Sequence, residues 1–580
     1  MANMDVRRAG RAARAGPGST RSRRAGARPR VALAAICVVG ILSVACSPAP
    51  REVRITLLGT TDVHGHLLPY DYATGDTADH SLAQLATLVD SVREADSHVL
   101  LFDSGDLLQG TPLDEYEAEV GGDSVHPVIA TMNAMRYTAS AVGNHEYNYG
   151  IPFLDSALAD ARFPFLAANI LRASTDSPVY RPYVVREVAG VRVAVLGFTT
   201  PGVAIWDRKH VEGRQAFEGI VEAARTWVPR VRRREHPDLV VALVHSGLGP
   251  GSSYDTATGV PPENAAAALA GQVDGIDVIF AGHSHVRLTG RRIGGTLVVQ
   301  AGHFADVLAA VHATLGRSGG AWTLDTLTSE LLPARGEPSD SAIARRLRPV
   351  QDRVVAWLEQ PIGTTPDRWS AARGRIEDSP TGDLVTTVER RVSGADLAST
   401  AIFDPEASFG PGPISRRDIL ALYIYPNTLA AVRISGAQLR AYLERSARYY
   451  RGWPSDTLVD PSVPGFNYDV VSGVDYALDL TRPPGRRVVG LTYRGRPVAA
   501  ADSFTLALNN YRETGGGGFS MVAGAPVVYS GQEAISQLII DYIRSRGTLR
   551  TEDVFDPNWR LLPPAAVRAL AGSPATARRH

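Results

Sequence analysis

Five short apolar runs in the first half of this 580-residue chain each stop at residues able to hold a cation or move a proton. Arg54–Gly59 leads into Asp62-Val63-His64, and Val99–Phe102 into Asp103-Ser104-Gly105-Asp106. Ala141-Val142-Gly143 leads into Asn144-His145-Glu146, Leu239–Val244 ends in His245, and Val278–Phe280 runs into Gly282-His283-Ser284-His285. Apolar runs of this length, alternating with helical patterns, read as strands of layered sheet-and-helix domains. In open α/β sheets the loops at one end of the strands converge on rigid supports, and ligands bind there. The pattern predicts an α/β fold with one loop-borne site.

Taken singly, these signals say little. A lone histidine is more often a satisfied core or surface residue than a ligand, and an aspartate at a strand end is commonly a turn or helix cap. Five in order, each closing an apolar run, are hard to obtain from caps and turns. Gly-Asn-His-Glu is the most particular of them, asparagine being an unusual metal ligand. His66, His126 and His303 carry no assignment, while His80, His98, His210, His236, His312 and His580 read as solvent-facing or loop residues.

The length exceeds what one hydrophobic core serves, so two domains are expected. Sixty basic residues against sixty acidic leave no whole-chain field for gripping a polynucleotide. A 44% hydrophobic and 21% charged chain is neither disordered nor fibrous. The composition turns to Pro-Ala-Arg-Gly-Glu-Pro after Leu332, a linker signal. Ile343, Leu347, Val350, Val354 and Leu358 then recur at helical spacing, with Pro349 expected to kink or restart the helix. The expected organisation is a first domain over 51–335, a linker helix over 336–361, a second mixed domain over 362–563 and a frayed tail over 564–580.

Residues 1–46 follow different rules. Arginines crowd Arg7 to Arg30, and an apolar run from Val31 to Ala45 ends at Cys46. A basic segment, a short apolar stretch and small residues before a cleavage point make an export signal. Ser43-Val44-Ala45-Cys46 resembles a bacterial lipoprotein processing site, which would tether the chain through a lipid on Cys46; ordinary cleavage after Ala45 is the alternative. Both cysteines, Cys37 and Cys46, lie in this segment, so the remaining chain has no disulfide, thiol nucleophile or thiolate metal site. The expected location is the periplasm or cell surface.

Asp-x-His, Gly-Asp, Gly-Asn-His-Glu, His-Ser-Gly and Gly-His-x-His, in this order, resemble the calcineurin-like metallophosphoesterases. With its linker and second domain, the chain is similar to the 5′-nucleotidase superfamily over roughly 52–563. Asn-His-Glu-Tyr-Asn-Tyr-Gly (144–150), Gly-Asp-Leu-Leu-Gln-Gly-Thr-Pro-Leu (105–113), Tyr-Pro-Asn-Thr-Leu (425–429), Asn-Asn-Tyr-Arg (509–512) and Asn-Trp-Arg-Leu (558–561) resemble its 2′,3′-cyclic-nucleotide 2′-phosphodiesterase/3′-nucleotidase branch.

The resemblance implies a four-layer αββα first domain, a second domain that grips the substrate, and two divalent metal ions. Asp62, His64 and His285 would hold one ion, Asn144, His245 and His283 the other, with Asp106 bridging. Carboxylate, amide and imidazole ligands suit Mn²⁺, Zn²⁺, Co²⁺ or Fe²⁺, and an ion pair can clamp a phosphoryl group while activating a water nucleophile. His145 would touch the phosphoryl group, oriented by Asn148 where the 5′-nucleotidase branch has aspartate; an amide adds no charge, so His145 should be less basic. Tyr468 and Tyr511 would sandwich the base, with Phe466 competing for the place of Tyr468, and Gly517 would line the ligand where the other branch has aspartate. That branch's arginine-bearing phosphate segment is replaced by Ala401–Asp404. The implied activity opens 2′,3′-cyclic nucleotides and dephosphorylates 3′-nucleotides. A broad 5′-nucleotidase or nucleotide-sugar hydrolase is the first alternative, and a surface-anchored binding protein with a vestigial metal site the second.

Overall fold

The computed structural model of the chain describes residues 52–572, except 123–124, 250–251, 253–258, 426 and 456. The expected export signal, Cys37 and Cys46 included, lies outside the described residues.

Two six-stranded sheets form the first domain. One runs, in spatial order, Ala321–Pro333, Val307–Ser318, Glu52–Thr60, Val99–Asp103, Ala139–Ala141, Phe165–Leu166. The other runs Arg287–Ile293, Thr296–Ala301, Val278–Ala281, Leu239–His245, Val191–Thr199, Tyr183–Val188. All five apolar runs are strands in these sheets, or overlap one in the case of Ala141–Gly143. Within each sheet the strands that carry the candidate residues are parallel, which sends their carboxyl ends the same way.

The period of two along a strand explains the layering. Leu239, Val241 and Leu243 point between the sheets, where they meet Ile55, Leu57, Phe102 and Phe280. Val240, Ala242 and Val244 point outward, against helices Ile220–Glu235 and Ala266–Gln272. Helices Leu82–Ala95 and Ser341–Leu358 cover the outer face of the first sheet. The result is four layers, αββα. Gly59 sits against the other sheet, and any side chain there would run into the Phe280 ring.

The helix expected to link the domains packs on the core of the first. Asp340 caps Ser341–Leu358 by accepting from the amides of Ala342 and Ile343 at 3.0 and 2.8 Å. Ile343, Leu347, Val350, Val354, Trp357 and Leu358 are buried in that core. The helix runs through Pro349 without a restart. Apolar contacts on both sides of the proline outweigh the roughly 3 kcal/mol that one interior proline costs.

The second domain holds a five-stranded sheet in the order Asp469–Ser472, Leu397–Ala401, Ser503–Asn509, Thr428–Ser435, Val527–Ala534, and a four-stranded sheet ending in Trp559–Leu562. The tail expected to fray from 564 instead begins with a helix, Pro564–Ala571. Ala566 and Leu570, four residues apart, lie on one helical face and bury themselves in the cluster containing Trp559 and Leu561. Residues 573–580 lie outside the described set. Among the described residues, no helix is long and apolar enough to cross a membrane.

Candidate metal centre and substrate face

The loops after the five strands bring seven predicted ligands together. Asp62, His64 and His285 form one cluster and Asp106, His245 and His283 a second, the candidate ligand atoms of each lying within 4.8 Å of one another. Asn144 joins the second, its Oδ1 being 2.9 Å from His245 Nε2. Asp106 Oδ2 lies 3.0 Å from His245 Nε2 and 3.9 Å from His64 Nε2, so one carboxylate reaches both clusters.

The hydrogen-bond partners fix which ring nitrogens face inward. A carbonyl oxygen only accepts, so His245 Nδ1 donates to Ser104 O at 2.8 Å and His64 Nδ1 to Gln109 O at 2.6 Å. Both Nε2 atoms are left for the site. His64 Nε2 and His285 Nε2 converge at 3.2 Å, and His245 Nε2 faces two oxygens. Such a set of lone pairs is satisfied by a cation or by added protons. The protonation energetics say the same. Burial depresses the His245 pKa, but the Asp106 carboxylate overrides it and pushes the ring up to about 10. Burial opposes ionisation of Asp62, yet its hydrogen bond and attraction to His285 bring it down to about 2. His64, lowered to about 3 chiefly by burial, is a neutral donor. The donor set fits divalent ions of the carboxylate- and imidazole-binding kind.

Several buried residues that the sequence did not single out build this geometry. Glu146 accepts from the amides of Leu107, Asp106 and Gly143 at 2.6, 3.0 and 2.5 Å, locking the Asp106 loop to the Asn144 loop. Asp103 does similar work for the Gly105 amide and the Thr60 and Ser140 hydroxyls, at 2.7, 2.7 and 3.0 Å. Glu263 accepts from His283 Nε2 at 2.8 Å, which leaves Nδ1 for the site. Trp206 stacks on the His283 ring at 5.7 Å between centroids. Glu146 was within the quoted motif; Glu263 and Trp206 lie in segments without a sequence signal.

His145 stands at the rim. Its amide donates to Asp106 Oδ1 at 2.8 Å, and Nε2 is 4.0 Å from Asp106 Oδ2. Nδ1 meets Asn148 Oδ1 at 2.6 Å, so the predicted pairing is present. Burial holds the ring below its ordinary pKa, against the pull of Asp106 and Asn148.

The second domain reaches this centre. Gln532, on strand Val527–Ala534, accepts from Asn144 Nδ2 at 3.3 Å and turns the amide oxygen toward His245. Tyr511 is 45% exposed. Its ring lies against Gly516, where an added Cβ would meet the Tyr511 carbonyl oxygen and, at 2.5 Å, the ring carbons Cδ2 and Cε2, and the Arg512 guanidinium lies 5.2 Å from the ring centroid. Burial and the like charge of Glu263 raise the Glu513 pKa.

Tyr468 does not take the expected position. It is 1% exposed and packs among Tyr449, Tyr450 and Trp559 with centroid distances of 5.1, 5.1 and 6.1 Å. The one-turn helix Gly465–Asn467 reverses the chain so that Tyr468 turns inward and the half-buried Phe466 outward. Phe466 lies near Tyr425, 6.2 Å between centroids. Gly517 is held at φ +71° against Asn467 and Arg512, so a side chain there is excluded by backbone and neighbours alike. Arg512, buried and paired with Asp469 at 2.8–2.9 Å, donates to Phe466 O and Gly516 O. It ties the Phe466 loop to the Tyr511 loop, a role the Asn-Asn-Tyr-Arg motif did not disclose.

The calcineurin-like phosphoesterase family matches residues 55–287, and the 5′-nucleotidase C-terminal domain matches 361–524. The crystal structure of the calcineurin-like phosphoesterase YfkN from Bacillus subtilis is 30% identical, with all of that chain and 53% of this one covered at a TM-score of 0.50. The chain belongs to the calcineurin-like phosphoesterases. Among curated relatives, the trifunctional nucleotide phosphoesterase protein YfkN of Bacillus subtilis is 28% identical over 89% of this chain, which spans 39% of that protein. The 2′,3′-cyclic-nucleotide 2′-phosphodiesterase/3′-nucleotidase of Salmonella typhimurium is 29% identical over 90% of both chains. Divalent metals are what this family implies, and the donors described above suit them.

Proposed function

We propose that this phosphoesterase opens 2′,3′-cyclic nucleotides to 3′-nucleotides and dephosphorylates 3′-nucleotides to nucleosides. The observation that carries the reading is the pair of convergent donor clusters sharing Asp106, beside an exposed aromatic on the second domain. Asp62, His64 and His285 would hold one ion and Asn144, His245 and His283 the other. Bound there, the two ions would supply positive charge for the phosphoryl oxygens and a water made acidic enough to attack phosphorus. His145 would contact the phosphoryl group through Nε2, and Asn148 would fix its ring. Tyr511 and Phe466 would hold the base, in place of the pair Tyr511 and Tyr468.

Substrate geometry supports the isomer choice. A 2′,3′-cyclic phosphate and a 3′-phosphate lie on the same ribose edge, so one base site serves both; a 5′-phosphate projects from the other end. A misplacement of about 1 Å costs roughly 10²-fold in rate. With Mn²⁺ or Co²⁺ present, kcat/KM should rank 2′,3′-cyclic AMP and 3′-AMP well above 5′-AMP. A 5′-AMP rate equal to the others would replace this reading with a broad 5′-nucleotidase. Residues 1–46 support export, with a lipid on Cys46 tethering the enzyme; a mature N-terminus without a lipid adduct would leave ordinary cleavage after Ala45.

A further inference from the structure

We propose that Asp207 is a positioning residue for His145, acting through Asn148; this rests on the reading of the site just given. Asn148 lies between them. Its Oδ1 is 2.6 Å from His145 Nδ1, and its Nδ2 is 3.3 and 3.4 Å from Asp207 Oδ1 and Oδ2. Asp207 is 2% exposed and sits between the short helices Val203–Trp206 and Arg208–Val211, one residue beyond the Trp206 that stacks on His283.

An asparagine amide can present either its oxygen or its NH₂ to a neighbour, and nothing in His145 alone chooses between them. An imidazole Nδ1 accepts from an NH₂ as readily as it donates to an oxygen. A carboxylate has no hydrogen to give. Burial raises the Asp207 pKa to about 7, and above that pH its carboxylate admits only the NH₂ of Asn148, which aims the amide oxygen at His145 and keeps a proton on Nδ1. Proton exchange with a substrate is then confined to Nε2, the nitrogen that faces Asp106. In the cleavage step a water oxygen bonds to phosphorus and gives up its proton to solvent as the phosphorus–ribose oxygen bond breaks. The departing oxygen takes the Nε2 proton of the doubly protonated ring, which is left neutral with its Nδ1–H to Asn148 intact. The carboxylate that an aspartate at 148 would have supplied is thus present one residue further out, relayed by an amide.

The test is a reciprocal exchange. Asp207→Asn offers a carbonyl and an NH₂, so the amide at 148 is free to turn either way. Asn148→Asp combined with Asp207→Asn restores an acceptor-only group facing Nδ1 and a donor behind it. Asp207→Asn should lower kcat on 3′-AMP and 2′,3′-cyclic AMP at least about tenfold with KM unchanged, general-acid assistance being worth roughly 10²–10⁴-fold. Bis(4-nitrophenyl) phosphate, whose leaving group needs no proton, should lose several-fold less than the nucleotides. The double variant should recover most of kcat. Full activity in Asp207→Asn, equal loss on nucleotides and aryl diester, or a double variant no better than the single one overturns the proposal. Wild-type enzyme that is idle on these two nucleotides but cleaves another ribose phosphate ester overturns the substrate reading alone, and the same exchange is then decided on that ester.

Discussion

Truncating Tyr511 separates grip from chemistry. The ring lies against Gly516 on its Cδ2–Cε2 side and the residue is 45% exposed, so ring surface is open to a base. One base–aromatic stack is worth about 1–3 kcal/mol, equivalent to about 5- to 150-fold in affinity. Tyr511→Ala should raise KM for 3′-AMP by roughly tenfold or more, within that window, with kcat changed no more than about twofold. Bis(4-nitrophenyl) phosphate has no base to stack and should be hydrolysed with unaltered kcat/KM. Gly516→Ala provides a second variant that keeps the aromatic. Its methyl would run into Tyr511 O and lie 2.5 Å from Cδ2, so the Tyr511 backbone and ring must both shift. The nucleotide KM should rise there too. Initial rates on both substrates, with metal content measured on each preparation, make the comparison. Equal loss on the nucleotide and the aryl diester in Tyr511→Ala would refute the reasoning and make Tyr511 a structural residue.

Asp106→Asn should abolish turnover and release at least one metal equivalent on elemental analysis, because a single carboxylate faces both clusters; near-normal activity at full occupancy contradicts this. Tyr468→Ala should lower stability by about 3–5 kcal/mol, as for other buried aromatics, while leaving the nucleotide KM of the folded enzyme unchanged. Phe466→Ala should do the reverse, and the pair read by chemical denaturation and kinetics decides which aromatic meets the base.

The first domain was legible because two independent constraints coincide there. Its strands must be apolar on both faces to lie between layers, and its ligands must follow them directly, so the eye finds Leu239–His245 or Val278–His285 without three-dimensional information. The second domain offers no such coincidence. Phe466 and Tyr468 lie two residues apart, and only a one-turn helix decides which is inside. The supports of the metal centre were hidden for another reason. Glu146 reaches amides about forty residues upstream, Glu263 reaches His283 across twenty, and Asp207 reaches Asn148 across fifty-nine. Glu146 stands in a conspicuous motif but without a visible partner, and Glu263 and Asp207 are ordinary carboxylates in ordinary segments until the fold closes. At the tail, Ala566 and Leu570 are too few for a visible pattern, yet their spacing of four suffices to dock one short helix.

The backbone of the metal centre shows why the ligand types and the loop conformation belong together. Of the twelve non-glycine residues with positive φ among those described, five are Asp62, His64, Asp106, His283 and His285. Left-handed backbone costs a residue with a side chain roughly 1–3 kcal/mol, and aspartate, asparagine and histidine bear it best. The residues that can ligate a cation are thus also those that tolerate the tight reversals that aim three of the five loops at one point. Glu146 and Asp103 hold those reversals in place by accepting from the amides of Asp106, Leu107, Gly143 and Gly105. An alanine at a ligand position would remove a donor atom and a conformational preference together, and the two losses could not be told apart. Asparagine keeps the left-handed preference at φ 63° while taking away the charge of Asp106, so in that variant any metal loss reports on the bridging carboxylate itself.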